Sequence, residues 1–207
     1  MESVLHPVYF PNIATMAVIS NTEVIWETQD NYQKQTYRNR CHICTDLGKH
    51  MLNIPIVHVG GSQGRQKYKE VKLDNTSNWQ RQHWRTLQTA YRTSPFFEFY
   101  EDDLAPIYEK PHSYLLDLNF KTIDFLCSSL SIEKPKKETS TYKVEIRDGK
   151  DMRHLVNAKG QIKLDQEEYN QVFGERHGFV ENTSVLDLLF NEGPNALSYL
   201  KQINNLF

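Results

Sequence analysis

The first 27 residues hold the pattern that most restricts the fold of this 207-residue chain. Ser3 to Phe10 is predicted to be extended, Asn12 to Ile19 to be a short apolar helix, and Glu23 to Glu27 to be a strand with β-branched side chains. A strand, a helix and a strand in this order are typical of a βαβ unit, whose two strands are parallel. The opening therefore predicts an α/β protein.

The following segments add an antiparallel pair. Arg38 to Cys44 and Lys49 to Val59 flank a turn at Asp46-Leu47-Gly48, which predicts a hairpin and makes the sheet mixed. Gly60-Gly61-Ser62-Gln63-Gly64 is predicted to be a loop, and it lacks the Gly-Lys-Ser/Thr ending of a phosphate-binding loop. Further strands are expected at Tyr68 to Leu73 and at Tyr142 to Ile146.

Helical periodicity dominates the rest of the chain. The helices are expected over Ser77 to Arg92, Phe96 to Tyr108, Ser113 to Leu130, and near Ser184 to Phe190 and Asn195 to Asn204. An α/β fold with a mixed sheet flanked by helices is the expected class, and α+β is the alternative.

The length is sufficient for one domain spanning residues 1–207 with a full core. Glu133 to Thr141, with its Lys-Pro-Lys-Lys-Glu run, is predicted to be a solvated linker, and Arg147 to Leu164 a polar excursion.

Composition argues for a cytoplasmic protein without membrane insertion. No apolar run approaches the roughly 20 residues of a membrane helix, and Met1-Glu2-Ser3 does not begin a secretory signal. Three cysteines, an odd number, do not form a disulfide framework. In Cys41-His42-Ile43-Cys44 the two thiols have only Cys127 as a third, so no metal site is predicted.

Charge is segregated along the chain although the formal net charge is only −2. Residues 33–92 carry eleven Lys/Arg against three acids, whereas residues 1–32 and 93–133 are acidic. A local positive field without a global excess favours a small anionic ligand over nucleic acid. Ordinary mixing of surface charge is the alternative.

The basic segment contains the first candidate site. If residues 32–40 are extended, alternate side chains share a face, so Lys34, Arg38 and Arg40 would project together towards an anion. Gln33 and Asn39 add amide groups that could bond to a ligand.

The C-terminal stretch contains the second candidate site. His177 lies in a loop-like sequence, and a loop histidine can act as a general acid or base or remain idle. Ser184 and Asp187 have the spacing of a helix capping pair, and Asn191 precedes a predicted helix stop, so both polar side chains also have structural explanations. On the helix after Ser77, Trp79 and His83 lie on the apolar face, where core packing competes with function.

Four motifs together resemble the WbqC-like family, a bacterial family associated with surface polysaccharide (O-antigen) gene clusters. They are the opening His6-Pro7-Val8-Tyr9-Phe10-Pro11, the Gln33-Lys34 element followed by Asn39-Arg40, the central Trp/His helix, and the closing segment from Ser184 to Asn191. Two positions depart from the pattern: His6 stands where many relatives have Gln, and Thr183-Ser184 where Leu-Ser is common.

The resemblance implies an enzyme of surface-polysaccharide precursor synthesis, transferring a group onto a nucleotide-linked or phosphorylated sugar. In that interpretation the three cations bind phosphate, Gln33 and Asn39 bind sugar or base, Tyr9 or Trp79 forms a stacking wall, and His177 moves the proton. Further contacts are expected from His6, His83, Asp187 and Asn191. A noncatalytic anion-binding or assembly module is the alternative, since no nucleophile or cofactor motif is recognisable.

Overall fold

A computed structural model describes residues 2–57, 65–160, 162, 164–203 and 206. The predicted glycine-rich loop at 60–64 and the last two residues of the second hairpin segment lie outside the described residues. The opening βαβ unit is confirmed: strand β1 is Glu2–Leu5, helix α1 is Ile13–Asn21 and strand β2 is Glu23–Trp26. The two strands are parallel, with Leu5 opposite Trp26.

Two short strands complete the parallel sheet. Strand β5, Lys137–Glu138, pairs with β2, and strand β6, Lys150–Asp151, pairs with β1, both in parallel. The order across the sheet is β5-β2-β1-β6. The predicted linker and the predicted polar excursion thus each contribute a strand of two residues, too short for any periodicity to show.

The predicted hairpin is also confirmed, and it forms a separate sheet. Strands β3, Arg40–Thr45, and β4, Gly48–Asn53, are antiparallel, with Thr45 opposite Gly48 at the turn. The α/β class with parallel and antiparallel strands is therefore correct.

The helices fall where periodicity placed them, with one short addition. They are α2 Trp79–Tyr91, α3 Phe97–Glu109, α4 Leu115–Ser129, α5 Gly174–His177, α6 Val185–Glu192 and α7 Ala196–Gln202. Neither of the two further predicted strands forms. In the first, Tyr68–Glu70 is a 3-10 turn and Lys72 and Leu73 make only isolated bridges, and residues 142–146 have no regular structure.

Helix α1 lies at the centre of the packing. It carries no charged side chain, and its residues from Ile13 to Ile19 are all buried. A helix that is apolar on all sides has to be covered on all sides, and α6, α7 and β2 pack around it. Among the helices of the described residues, none has the length and hydropathy required to cross a bilayer.

The turn after α6 depends on glycine. Gly193 has φ +52°, and a Cβ at this position would lie 2.6 Å from the Phe96 ring. We expect Gly193→Ala to lower the free energy of unfolding by about 3 kcal/mol or more, because left-handed strain and overpacking add. Gly48→Ala is the control, since φ is +89° but nothing lies within 4 Å. Urea unfolding of both variants measures the difference, and equal losses would contradict the steric explanation.

Candidate functional site

The four parallel strands end at one edge of their sheet, and charged or polar side chains follow each end. His6 follows β1, Glu27 follows β2, Thr139 follows β5 and Arg153 lies two residues beyond β6. Strand β1 has β2 on one side and β6 on the other, so the strand order reverses there. In open parallel sheets, ligands bind outside the carboxyl ends of the strands at such a reversal.

A cavity of about 340 Å³ lies at this position and is called the carboxyl-edge cleft. Its size is at the lower end for small-molecule sites. Its lining is almost entirely polar and consists of His6, Asp30, Gln33, Tyr142, Asp151, Arg153, His154, Val156 and Asn157.

His6 is held as a neutral imidazole. Its Nδ1 is 3.3 Å from the Glu27 carbonyl oxygen, and its Nε2 is 3.0 Å from Nη2 of Arg38. A guanidinium only donates, so Nε2 accepts and Nδ1–H donates to the carbonyl. Burial, and then the positive charge of Arg38, lower the pKa of His6 to about 3. Both ring nitrogens are therefore occupied by the protein.

Arg38 lies inside the protein. Its side chain is fully buried, donates to Oδ2 of Asp30 at 3.0 Å and lies 5.2 Å from the centre of the Tyr68 ring. Burial lowers the pKa of the Arg38 guanidinium. Asp30 is thus the ion-pair partner of Arg38 and also part of the cleft wall.

The prediction that Lys34, Arg38 and Arg40 share one face of a strand is wrong. Residues 34–35 and 37–38 form turns, with Gln35 at φ 61°, Thr36 between them forms an isolated bridge with Asn157, and β3 begins only at Arg40. Gln33 lines the cleft and Lys34 is exposed beside it, whereas Arg40 is half-buried and pairs with Asn53 across the hairpin. The three cations are therefore in three different environments.

Arg153 holds the other side of the cleft. It forms a two-point ion pair with Asp151, with Nε to Oδ1 at 2.8 Å and Nη2 to Oδ2 at 2.5 Å. It also donates to the carbonyl oxygens of Lys143 and Val144 at 2.7 and 3.0 Å, and lies over the Tyr142 ring. This arginine connects β6 to the irregular segment 139–148, which we call the strap.

Tyr9, Trp79 and His83 belong to the core. Tyr9 Oη is 3.0 Å from His83 Nδ1 and 2.8 Å from Tyr108 Oη, and Trp79 packs edge-on against the imidazole. His83 Nε2 lies 3.2 Å from the Asn53 carbonyl oxygen, and burial lowers the pKa of His83 to about 4. Since Tyr9 has no exposed surface, it offers no stacking wall.

The remaining polar candidates also stabilise buried structure. Asp187 is fully buried and accepts hydrogen bonds from Tyr91, Tyr169 and Gln171 at 2.6–2.7 Å. Burial raises the pKa of this carboxyl group. The predicted cap Ser184 is confirmed by its bond with the Leu186 amide. Asp187 does not complete the capping pair because it faces the two tyrosines.

Two asparagines bond to the backbone. Asn39 donates to the Ile54 carbonyl oxygen at 2.9 Å, so it fixes the start of the hairpin. Asn191 donates to the Asp187 carbonyl oxygen at 2.7 Å in the last turn of α6. Neither side chain lines the carboxyl-edge cleft.

The structure does not bring His177 to the cleft. This exposed residue ends α5, and its Nε2 is 2.8 Å from the Thr45 carbonyl oxygen at the tip of the hairpin. An extended β3 places Thr45 about 17 Å from Arg40. The C-terminal stretch and the basic segment therefore do not converge on one pocket.

Nearby, the thiol of Cys44 lies 3.7 Å from His177 Nε2. Burial, with the Asp187 charge, raises the pKa of Cys44 to about 12, and burial raises the pKa of Cys127 to about 11. These thiols are protonated and inert at neutral pH. Within the described ranges, no three His, Cys, Asp or Glu side chains are grouped to hold a metal ion.

Sequence reasoning missed seven of the nine cleft residues: Asp30, Tyr142, Asp151, Arg153, His154, Val156 and Asn157. Asp151 lies in β6 and Arg153 and His154 follow it, but this two-residue strand could not be predicted from the sequence. The only available signal was the acid-base spacing Asp151-x-Arg153 within an otherwise polar stretch.

Comparison with known proteins gives a family and a relative. The family model described as the WbqC-like protein family matches residues 6–163, a range that includes every residue lining the cleft. A protein of Mycobacterium tuberculosis, "Uncharacterized protein Rv1507c", is 29% identical over 201 aligned positions, covering 82% of this chain and 84% of the relative. No solved structure matches the chain.

Removing Arg38 should destabilise the fold. Arg38→Ala leaves Asp30 without its buried partner, which costs about 3–5 kcal/mol and lowers Tm by about 10 °C for a chain of this size. Arg40→Ala is the control, since Arg40 forms no ion pair with any described residue. It should cost about 1 kcal/mol or less. Thermal unfolding compares the two, and a stable Arg38→Ala protein would refute the buried ion pair.

The buried histidines predict acid sensitivity. The pKa values of His6 and His83, about 3 and 4, are below the unfolded value of 6.5. The unfolded chain therefore binds more protons, and stability present above pH 6.5 is lost as pH falls towards 4. Each histidine contributes about 1.4 kcal/mol per pH unit in this window. Urea unfolding at several pH values gives the free energy of unfolding as a function of pH. This free energy should change less with pH in His6→Gln and in His83→Gln than in the wild type, and least in the double variant. An unchanged pH dependence would contradict the assignment.

Proposed function

The chain belongs to the WbqC-like protein family, and from that membership we propose that it works in the cytoplasm on precursors of surface polysaccharide (O-antigen). We infer that its ligand is a phosphorylated or nucleotide-linked sugar bound at the carboxyl-edge cleft. The reaction we propose is transfer of a group onto that sugar.

The single observation that carries this proposal is the polar cleft at the reversal of strand order in the parallel sheet. Gln33 and Asn157 offer both donors and acceptors, as sugar hydroxyls require. Lys34 stands exposed next to Gln33, where a phosphate could be bound at the rim. Amides and one peripheral cation suit an uncharged sugar carrying an anionic group.

We assign the acid-base step to His154. Histidine is the side chain used most often for proton transfer, and His154 lines the cleft with an exposed ring. His6 lines it too, but the Glu27 carbonyl and Arg38 occupy both of its nitrogens. His177, the candidate from sequence alone, would require a second site near the hairpin tip.

A noncatalytic binding module is the second candidate, and one observation favours it. Arg38 and Arg153 of this region are each paired with a carboxylate of the cleft wall, Asp30 and Asp151. Charges that are paired within the protein stabilise a scaffold and are not free to act on a substrate. With a sugar nucleotide as acceptor and a donor of the transferred group supplied, His154→Gln distinguishes the candidates. An enzyme loses turnover and keeps binding, whereas a binding module shows no turnover in the wild type.

Ligand binding should be visible as thermal stabilisation. At a ligand concentration of 100 times Kd, a sugar nucleotide stabilises the fold by about 2.7 kcal/mol, or roughly 5–10 °C in Tm. Asn157→Asp places a negative charge in the cleft and should weaken binding of UDP-glucose, GDP-mannose or dTDP-glucose at least about fivefold.

The control makes the same change elsewhere. Asn195→Asp alters an exposed residue outside the cleft and should bind like the wild type. Equal affinities of both variants for every sugar nucleotide that binds would remove the cleft from the proposal. Absence of binding by the wild type would refute the ligand class itself.

A further inference from the structure

A second and larger cavity, about 740 Å³, lies between the parallel sheet and the strap. The sheet contributes Val4 and Ile25, which are neighbours in register across β1 and β2. Glu27 lies at the carboxyl end of the same face, and the strap closes the cavity from outside. The site thus combines an apolar floor with a carboxylate at one end.

The Glu27 carboxylate is only half satisfied. Its side chain is fully buried, and Oε1 accepts hydrogen bonds from the backbone N–H of Gln29 at 2.7 Å and from the Thr139 hydroxyl at 3.1 Å. Oε2 has no hydrogen-bond partner among the described residues, and Arg153 Nη1 at 3.9 Å is beyond hydrogen-bonding distance. A buried carboxylate oxygen without a donor is costly, so this atom points to a ligand that supplies one.

The surroundings select the kind of donor. Arg153 beside Oε2 disfavours a metal ion or an amine because the charges would repel. A hydroxyl group is neutral and donates, and the C–H face of a sugar ring can pack on Val4 and Ile25. In dinucleotide-binding folds an acidic residue after the second strand binds a ribose hydroxyl in the same way, although here His6-Pro7 replaces the glycine-rich turn after β1.

We propose that the cavity under the strap, next to the carboxyl-edge cleft, is a second subsite for the same ligand that holds one of the two sugar rings of a sugar nucleotide. Glu27 Oε2 accepts a hydrogen bond from a hydroxyl of that ring. The inference rests on the proposed function and adds the position and chemistry of recognition. Thr139 and Arg153 tie the strap to the residues around the subsite. Sugar binding should therefore protect residues 139–148 from hydrogen exchange.

The test uses ligands with and without hydroxyl groups. Glu27→Gln keeps the shape of the side chain and removes the charged acceptor. We expect it to weaken binding of UDP-glucose and dTDP-glucose, measured by calorimetry, on the order of tenfold or more, and to leave inorganic pyrophosphate binding unchanged. Glu133→Gln is the matched control, because Glu133 is exposed and lines neither of the two cavities. It should retain wild-type affinities.

A second variant covers the case in which Glu27→Gln does not fold. Ile25→Phe fills the floor of the cavity from a half-buried position and should also abolish sugar-nucleotide binding while pyrophosphate still binds. Wild-type affinities for UDP-glucose in Glu27→Gln, or in Ile25→Phe where only that variant folds, would overturn the subsite and leave the proposed function standing. An equal loss for pyrophosphate would show a general electrostatic effect and overturn it as well. A wild type that binds no sugar nucleotide would overturn both proposals.

Discussion

The buried ion pair between Arg38 and Asp30 is the interaction on which the arrangement of this protein depends. It joins the segment after β2 to the segment before β3, and His6 connects both to the end of β1. The backbone oxygen of Arg38 accepts a hydrogen bond from Asn119 of α4 at 2.7 Å, and the same amide contacts Tyr68. The ion pair compensates the buried charge of Arg38, while Nε and Nη1 of its guanidinium have no hydrogen-bond partner among the described residues. One residue therefore fixes the parallel sheet, the hairpin and a helix relative to each other.

That arrangement determines what the carboxyl edge can bind. Because Arg38 and Arg153 are paired with Asp30 and Asp151, the interior of the cleft carries little uncompensated positive charge. In the proposed function, recognition in the cleft therefore comes from hydrogen bonds, and the anionic group stays near the exposed Lys34, which follows Gln33 in the sequence. A sugar carrying phosphate has this division into a neutral, hydroxyl-rich part and a charged part. A free polyanion, or a nucleic acid, does not.

Local sequence patterns predicted the helices and strands that show a helical or alternating period. The site depends instead on strand pairing between residues far apart in the sequence. The opening βαβ unit, the hairpin and helices α2, α3, α4, α6 and α7 were visible in the sequence because each spans several residues of regular alternation or repeats apolar side chains. Strands β5 and β6 have two residues each and exist only through pairing with β2 and β1. Strand β6 contains Asp151 and places Arg153 in the site, so the side of the cleft formed by these residues could not be predicted from the sequence. The prediction for the basic segment was wrong for the opposite reason. Its cations do occupy alternate positions in the sequence, but the segment is not a strand, because Arg38 turns inwards to bond with His6 and Asp30.

The same short strands explain why a cavity exists beside the sheet. Leu5 and Trp26 alternate towards the main core, while Val4 and Ile25 face the other way. Parallel sheets are usually covered by helices on both faces, but here the strap lies over Val4 and Ile25. The strap has no regular structure across residues 140–147, and Val144 is exposed instead of being buried against the apolar surface. Arg153 holds it in place through two carbonyl oxygens instead. An apolar floor, a half-satisfied Glu27 and a cover attached at few points leave room for a ligand where a helix would have closed the core.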